Sequence, residues 1–104
     1  TGGETVYSTE VENVLYEHPQ VLEAAAFGVP DDTWGEAVRA AVVLARKGAA
    51  QGEEIVAFCR ERLAHYKCPR AVDVLDALPR TGSGKIDKKA LREPFWKGRS
   101  RRIN

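Results

Sequence analysis

Apolar and polar positions change period several times along the chain, and each change marks an element. In STEVENVLYEH, Val11, Val14 and Leu15 fall at i, i+3 and i+4 on one helical face, while Glu10, Glu12 and Glu17 fall where they can face water. Thr9 and Glu12 have capping-box spacing, so the pattern predicts a helix from about Thr9 to His18, stopped by Pro19. Two apolar runs, Val21 to Val29 and Ala37 to Ala45, predict strands, and GVPDDTWGE between them reads as a loop from its Gly, Pro and Asp content. Helical periodicity returns from about Gly52 to His65, where Ile55, Cys59 and Leu63 share a face at spacing four; Pro69 bars its continuation. Val72 and Val74 alternate in a short strand, ended by Pro79. Asp87 stands as an N-cap for a last helix through Leu91 and Arg92, expected to end before Pro94.

The order helix, strand, strand, helix, strand, helix over 104 residues predicts one α+β domain, a small sheet of about three main strands covered by helices. A chain of this length buries roughly 60–70% of the surface its unfolded form exposes, which is enough for one core. Sixteen basic against fifteen acidic residues give a net charge of +1, so no global electrostatic partner is implied. The one basic run, Lys97 through Arg99, Arg101 and Arg102, reads as a frayed, solvated tail over residues 97–104, and no nucleic-acid partner is expected.

Cys59 and Cys68 lack CxxC spacing and histidine partners at zinc-ligand intervals, so neither a metal site nor a disulfide framework is expected. Reduced thiols point to the cytoplasm. No apolar run approaches the roughly 18 residues of a membrane span, and the N-terminus lacks the regions of a signal peptide. The chain begins without methionine, which leaves open that it is cut from something longer.

Chemistry concentrates in LPRTGSGKIDKKALR, residues 78–92. A phosphate-binding P-loop fails here on two counts: Pro79 stands where the first glycine belongs, and Ile86 stands where a hydroxyl should reach magnesium. What remains is a sterically bare, mobile loop of Thr81, Gly82, Ser83 and Gly84 that carries Lys85 on a long stem. Such a cation can enter another domain's cleft, where an ammonium about 4 Å from an anionic oxygen is worth roughly 4 kcal/mol at an intermediate dielectric. The alternative is that Lys85, Lys88, Lys89 and Arg92 form a solvated cationic helix start, and spacing alone favours it. His18 and His65 have no acid partner in sequence and read as structural; Glu10, Glu12 and Glu17 read as a solvated helix face.

The same stretch closely resembles the last core motif of the adenylate-forming superfamily, which comprises acyl-CoA synthetases, peptide-synthetase adenylation domains and luciferases. GGETVYSTEVENVL is similar to that family's segment after the interdomain hinge, AAAFGVPDDTWGEAVRAAVV to its GVPD-x-x-x-GE segment, and LAHYKCPRAV to its Y-K-x-P element. The likeness runs from Gly2 to about Arg92.

The resemblance implies that residues 1–96 are the small C-terminal lid domain of an acyl-CoA synthetase. A large N-terminal domain, absent from this chain, would bind ATP with its Mg2+ and the carboxylic acid, most simply a fatty acid. The alternatives are an adenylation domain that loads a carrier protein and a free-standing, non-catalytic binding module. By resemblance, Lys85 is the catalytic lysine that reaches the carboxylate and α-phosphate in adenylate formation. Gly2 and Gly3 would line the pantetheine channel of coenzyme A, unless they are only a flexible turn. Glu4 takes a binding role beside them, and Trp34 and Tyr66 flank the channel or are plain core aromatics. The implied partners are the chain's own N-terminal domain, ATP, coenzyme A and the acid. Acylation of Lys85 would remove its charge and so could regulate the enzyme. Thr5 and Ser8 depart from the common asparagine and proline, and Cys68 stands where some coenzyme A ligases carry a basic residue.

Overall fold

The computed structural model of the chain describes residues 7–33 and 35–98. The elements follow the expected order: helix α1 (Ser8–Glu17), strands β1 (Val21–Asp31) and β2 (Gly35–Leu44), helix α2 (Gly52–Arg60), a 3-10 turn (His65–Lys67), strand β3 (Val72–Val74) and helix α3 (Lys88–Trp96). The sheet order is β1-β2-β3, with β1 and β2 antiparallel and β2 and β3 parallel, so α2 lies in the crossover between two parallel strands.

Both faces of the sheet are covered. On one, Val11, Val14 and Leu15 of α1 and Ile55, Val56 and Cys59 of α2 pack on Ala24, Ala26, Ala40 and Val42. On the other, Ala25, Phe27, Val29 and Ala41 meet Leu78 and the half-buried Ile86, Leu91 and Phe95. The run Ala24-Ala25-Ala26 is buried on both sides, which explains its continuous apolar character. Leu63 is buried with Ile55 and Cys59 as their spacing predicts, although it follows the end of α2.

Four expectations need correction. First, α1 has no capping box: it starts at Ser8 with Tyr7 at the N-cap and no side-chain cap, because Glu12 is used elsewhere. A capping box occurs instead at α2, where Gln51 N donates to Glu54 Oε1 at 2.7 Å. Second, most of GVPDDTWGE is strand, with Pro30 opposite Glu36 and Asp31 opposite Gly35. Proline is accepted because β1 is an edge strand, where a ladder donor is dispensable. Third, β3 ends at Val74, well before Pro79.

Fourth, α3 runs through Pro94. The proline removes one helical bond near the helix end, but Phe95 and Trp96 beyond it are anchored. The Phe95 ring lies 6.1 Å from that of Phe27 and 4.5 Å beneath the Arg39 guanidinium, and Trp96 Nε1 donates to the Gly28 carbonyl at 2.8 Å. Arg39 in turn grips Asp73 with two bonds of 2.8 Å, joining β2, β3 and α3 at one point. Those contacts hold the final turn in helical form. Asp87 caps α3 as expected, with its Oδ1 accepting from Ala90 N at 3.0 Å.

The free edge of β1 is closed by side chains of α1. Tyr16 hydroxyl accepts from Ala24 N at 3.0 Å and donates to Ala24 O at 3.3 Å, and Glu12 Oε2 accepts from Ala26 N at 2.8 Å. An open ladder edge is thereby denied to other strands.

Candidate functional site

Between Leu78, buried against the sheet, and Lys88, the first residue of α3, the chain folds into a closed hairpin. Arg80 and Ile86 pair across it, and Asp87 N donates to Pro79 O at 2.8 Å. At the tip Thr81 N donates to Lys85 O at 2.8 Å and Gly84 N to Thr81 O at 2.9 Å. Gly84 sits at φ +89°, a conformation that a side chain disfavours, so glycine here is set by the backbone. Thr81 and Ser83 hydroxyls lie 3.0 Å apart. The loop of Thr81, Gly82, Ser83 and Gly84 is therefore a hydrogen-bonded turn.

Lys85 is exposed at this tip, and its ammonium has no hydrogen-bond or ion-pair partner among the described residues. The neighbouring cations behave differently, which corrects the picture of a uniformly solvated cationic helix start. Lys88 Nζ contacts Glu12 Oε2 at 2.6 Å, and Arg92 is half-buried with its Nε unpartnered among the described residues; Lys89, like Lys85, is exposed as expected. The acidic face of α1 is likewise engaged. Glu10 pairs with Lys67 at 3.0 Å, Glu12 with Lys88, and Glu17 lies 3.8 Å from Arg62.

A second feature lies near the start of β2. Glu36, Ala37, Val38, His65, Tyr66, Cys68 and Arg70 line a groove of about 510 Å³. Tyr66 is 66% exposed, so it is not a core aromatic; its ring meets Tyr7 edge-on at 5.4 Å. Lys67, which sequence reasoning did not single out, bonds Glu10 and lies within 6 Å of both tyrosine rings. The Glu10 carboxylate raises its pKa, foremost through the hydrogen bond. Its place beside Tyr66 in the Y-K-x-P element was the available signal. His18 is structural as expected: its Nδ1 accepts from Gln20 N and its ring packs edge-on against Phe58. Gly2, Gly3, Glu4 and Trp34 lie outside the described residues.

The two features sit on different layers. Ile86, next to Lys85, packs against the sheet face that holds Phe27 and Leu78, whereas Cys68 packs against the face that holds α1 and α2. The domain thus carries the exposed Lys85 on one side and the groove beside Tyr66 on the other.

Comparison with known proteins places this arrangement in a family. Residues 10–85 match the AMP-binding enzyme C-terminal domain. The chain belongs to that family. A feruloyl-CoA synthase from an Amycolatopsis species is 50% identical over 95 residues, covering 91% of this chain and 19% of the relative. A medium/long-chain-fatty-acid–CoA ligase of Mycobacterium tuberculosis is 46% identical over 111 residues, covering 99% of this chain and 19% of the relative. Among solved structures, ATP-bound MatB from Rhodopseudomonas palustris superposes with a TM-score of 0.81 at 36% identity, over 94% of this chain and 19% of that one. The chain spans about a fifth of the length of these relatives. Among the described residues, no helix of this family member is long and apolar enough to cross a membrane.

Proposed function

We propose that this domain serves an acyl-CoA synthetase that joins a carboxylic acid, with a fatty acid as the leading class, to coenzyme A. In the first half-reaction a carboxylate oxygen attacks the α-phosphorus of ATP, pyrophosphate leaves and an acyl-adenylate forms. In the second, the thiol of coenzyme A attacks the acyl carbon, its proton is lost and AMP leaves. Magnesium enters with ATP on the large domain.

The observation that carries this reading is Lys85: an ammonium at the tip of a closed hairpin with no partner among the described residues. Two anions must meet in the first half-reaction, and a fixed cation offsets their repulsion without moving a proton. A side chain already committed to an internal ion pair could not do this. The groove beside Tyr66, on the other layer, supports a second role in the thioester half-reaction, which a swinging lid domain would expose in turn.

The test uses the full-length enzyme. Lys85→Ala is expected to slow pyrophosphate release from ATP and acid by about 10²–10³, the range for losing one preorganised electrostatic donor. Thioester formation from supplied acyl-adenylate and coenzyme A should stay near the native rate. Equal loss in both would sink the assignment. Ferulate, octanoate and palmitate, offered side by side, decide the acid class; the two fatty acids are expected to be faster. Offering a phosphopantetheinylated carrier protein in place of coenzyme A tests the competing acceptor, and coenzyme A is expected to win.

A further inference from the structure

One side chain ties the Lys85 hairpin to the sheet. Arg80 Nη1 donates to the Gly84 carbonyl, the residue just before Lys85, at 2.9 Å, while Arg80 Nη2 meets Glu23 Oε1 of β1 at 2.8 Å. A guanidinium has separate donors on a planar fork, so it can hold both groups at once; an ammonium on a flexible stem is much less suited to that.

Neither fold stability nor turn closure explains this arrangement. The Arg80 and Glu23 side chains are 43% and 32% exposed, and ion pairs so open to solvent contribute little to stability. The turn is closed by its own backbone bonds, all of which run between residues 79 and 87. Those bonds shape the hairpin but cannot set its angle to the sheet. Leu78 and Ile86, packed on the sheet, attach the base of the hairpin, and the Arg80–Glu23 bridge adds a tie nearer its tip. That tie bears on the direction in which the tip carries Lys85.

We propose that Arg80, anchored by Glu23, is a positioning residue for Lys85, setting the direction in which the hairpin offers the ammonium to the reacting anions. The inference rests on the reading of Lys85 given above. An ångström-scale misplacement of a reacting group costs up to about 10²-fold in rate, so a swivelling hairpin would be damaging even with Lys85 intact.

The experiment is a double-mutant cycle in the full-length enzyme, read as pyrophosphate release with ATP and palmitate, octanoate or ferulate, and separately as thioester formation from the supplied acyl-adenylate. Arg80→Gln and Glu23→Gln should each lower kcat for adenylate formation by about 10-fold and leave thioester formation unchanged. In a Lys85→Ala background, neither should cause a further loss greater than about 2-fold, because the residue being aimed is gone. Exchanging the charges, Arg80→Glu with Glu23→Arg, restores an ion pair but no donor to the Gly84 carbonyl, and should not rescue. Hydrogen exchange follows folding independently: Ala40 and Val42 amides in β2 should keep their protection in Arg80→Gln. Equal loss in both half-reactions, additive loss on top of Lys85→Ala, or rescue by the exchanged pair would overturn the positioning role. A Lys85→Ala enzyme that makes adenylate normally would instead overturn the reading of Lys85 itself.

Discussion

Lys88 Nζ lies 2.6 Å from Glu12 Oε2, and the same oxygen accepts the Ala26 amide at 2.8 Å. One carboxylate thus joins the start of α3, the middle of α1 and the open edge of β1. Both charged side chains are about four-fifths covered, so the joint is shielded from salt and water. Removing the carboxylate takes the acceptor from the Ala26 amide and the Glu12 ion pair from Lys88 together. Glu12→Ala is expected to destabilise the 104-residue chain by about 2–4 kcal/mol, more than an exposed pair is worth. Glu12→Gln keeps an acceptor for Ala26 and should cost less. Urea unfolding checks both, and a Glu12→Ala loss below the Glu12→Gln loss would rule the joint out.

Glu12 also shows why part of the fold was hidden from the sequence. Apolar periodicity reveals which face of α1 is buried, since Val11, Val14 and Leu15 must leave water wherever the helix packs. It is silent on where a carboxylate beside that face finds a partner 14 residues away. Pro94 misleads for a related reason: local propensity ends the helix, and the long-range anchors Phe27 and Gly28 extend it. Lys85 was visible as a cation between a glycine-rich turn and the start of a helix. That its hairpin is tied to β1 was not, because the Arg80–Glu23 bridge spans 57 positions of sequence and obeys no short spacing.

Gly52 begins α2 where that helix passes over β3, and a Cβ added there would fall on the carbonyl oxygen of Val72. By helix propensity alone, Gly52→Ala should help by up to about 1 kcal/mol. Backbone cannot move aside as a flexible side chain does, so the sign reverses. The expected result is a loss of about 1–3 kcal/mol, with the β2–β3 pairing at Ala40 and Val72 loosened. Urea unfolding together with hydrogen exchange at Ala40 would show it. A stabilised variant would mean that α2 is free to shift.

Cys59 is fully buried, and burial pushes its thiol from the usual 9.0 up to about 11, with the nearby Cys68 adding to the rise and Arg62 opposing it. In the unfolded chain the thiol ionises near its ordinary value, so between about pH 9 and 11 only the unfolded state has released the proton. Stability supplied by the neutral thiol is complete below pH 9 and drains away as pH rises through 11, by about 2–3 kcal/mol in all. Lys67, raised by its bond to Glu10, and Cys68, raised by burial, also shift, so the comparison is with Cys59→Ala, in which the Cys59 share of the slope disappears. At pH 8, iodoacetamide should reach the half-buried Cys68 in the native chain and Cys59 only after unfolding. Equal labelling rates in the native state would contradict the burial.

Tyr66 presents a large aromatic surface to solvent beside the groove, with Tyr7 against its ring edge and the Lys67 ammonium 5.7 Å from its centre. Exposure of that kind contributes little to the core, so Tyr66→Ala should cost less than about 1 kcal/mol of stability. If the groove receives coenzyme A, the loss appears in binding instead. The full-length variant should show a KM for coenzyme A raised about 10-fold in thioester formation, the effect of removing one aromatic contact of roughly 1.4 kcal/mol, with adenylate formation unchanged. Tyr66→Phe keeps the ring and should recover most of the affinity. A variant that loses stability while keeping its KM would make Tyr66 a prop for Tyr7 and α1, and would leave the groove without a role in thioester formation.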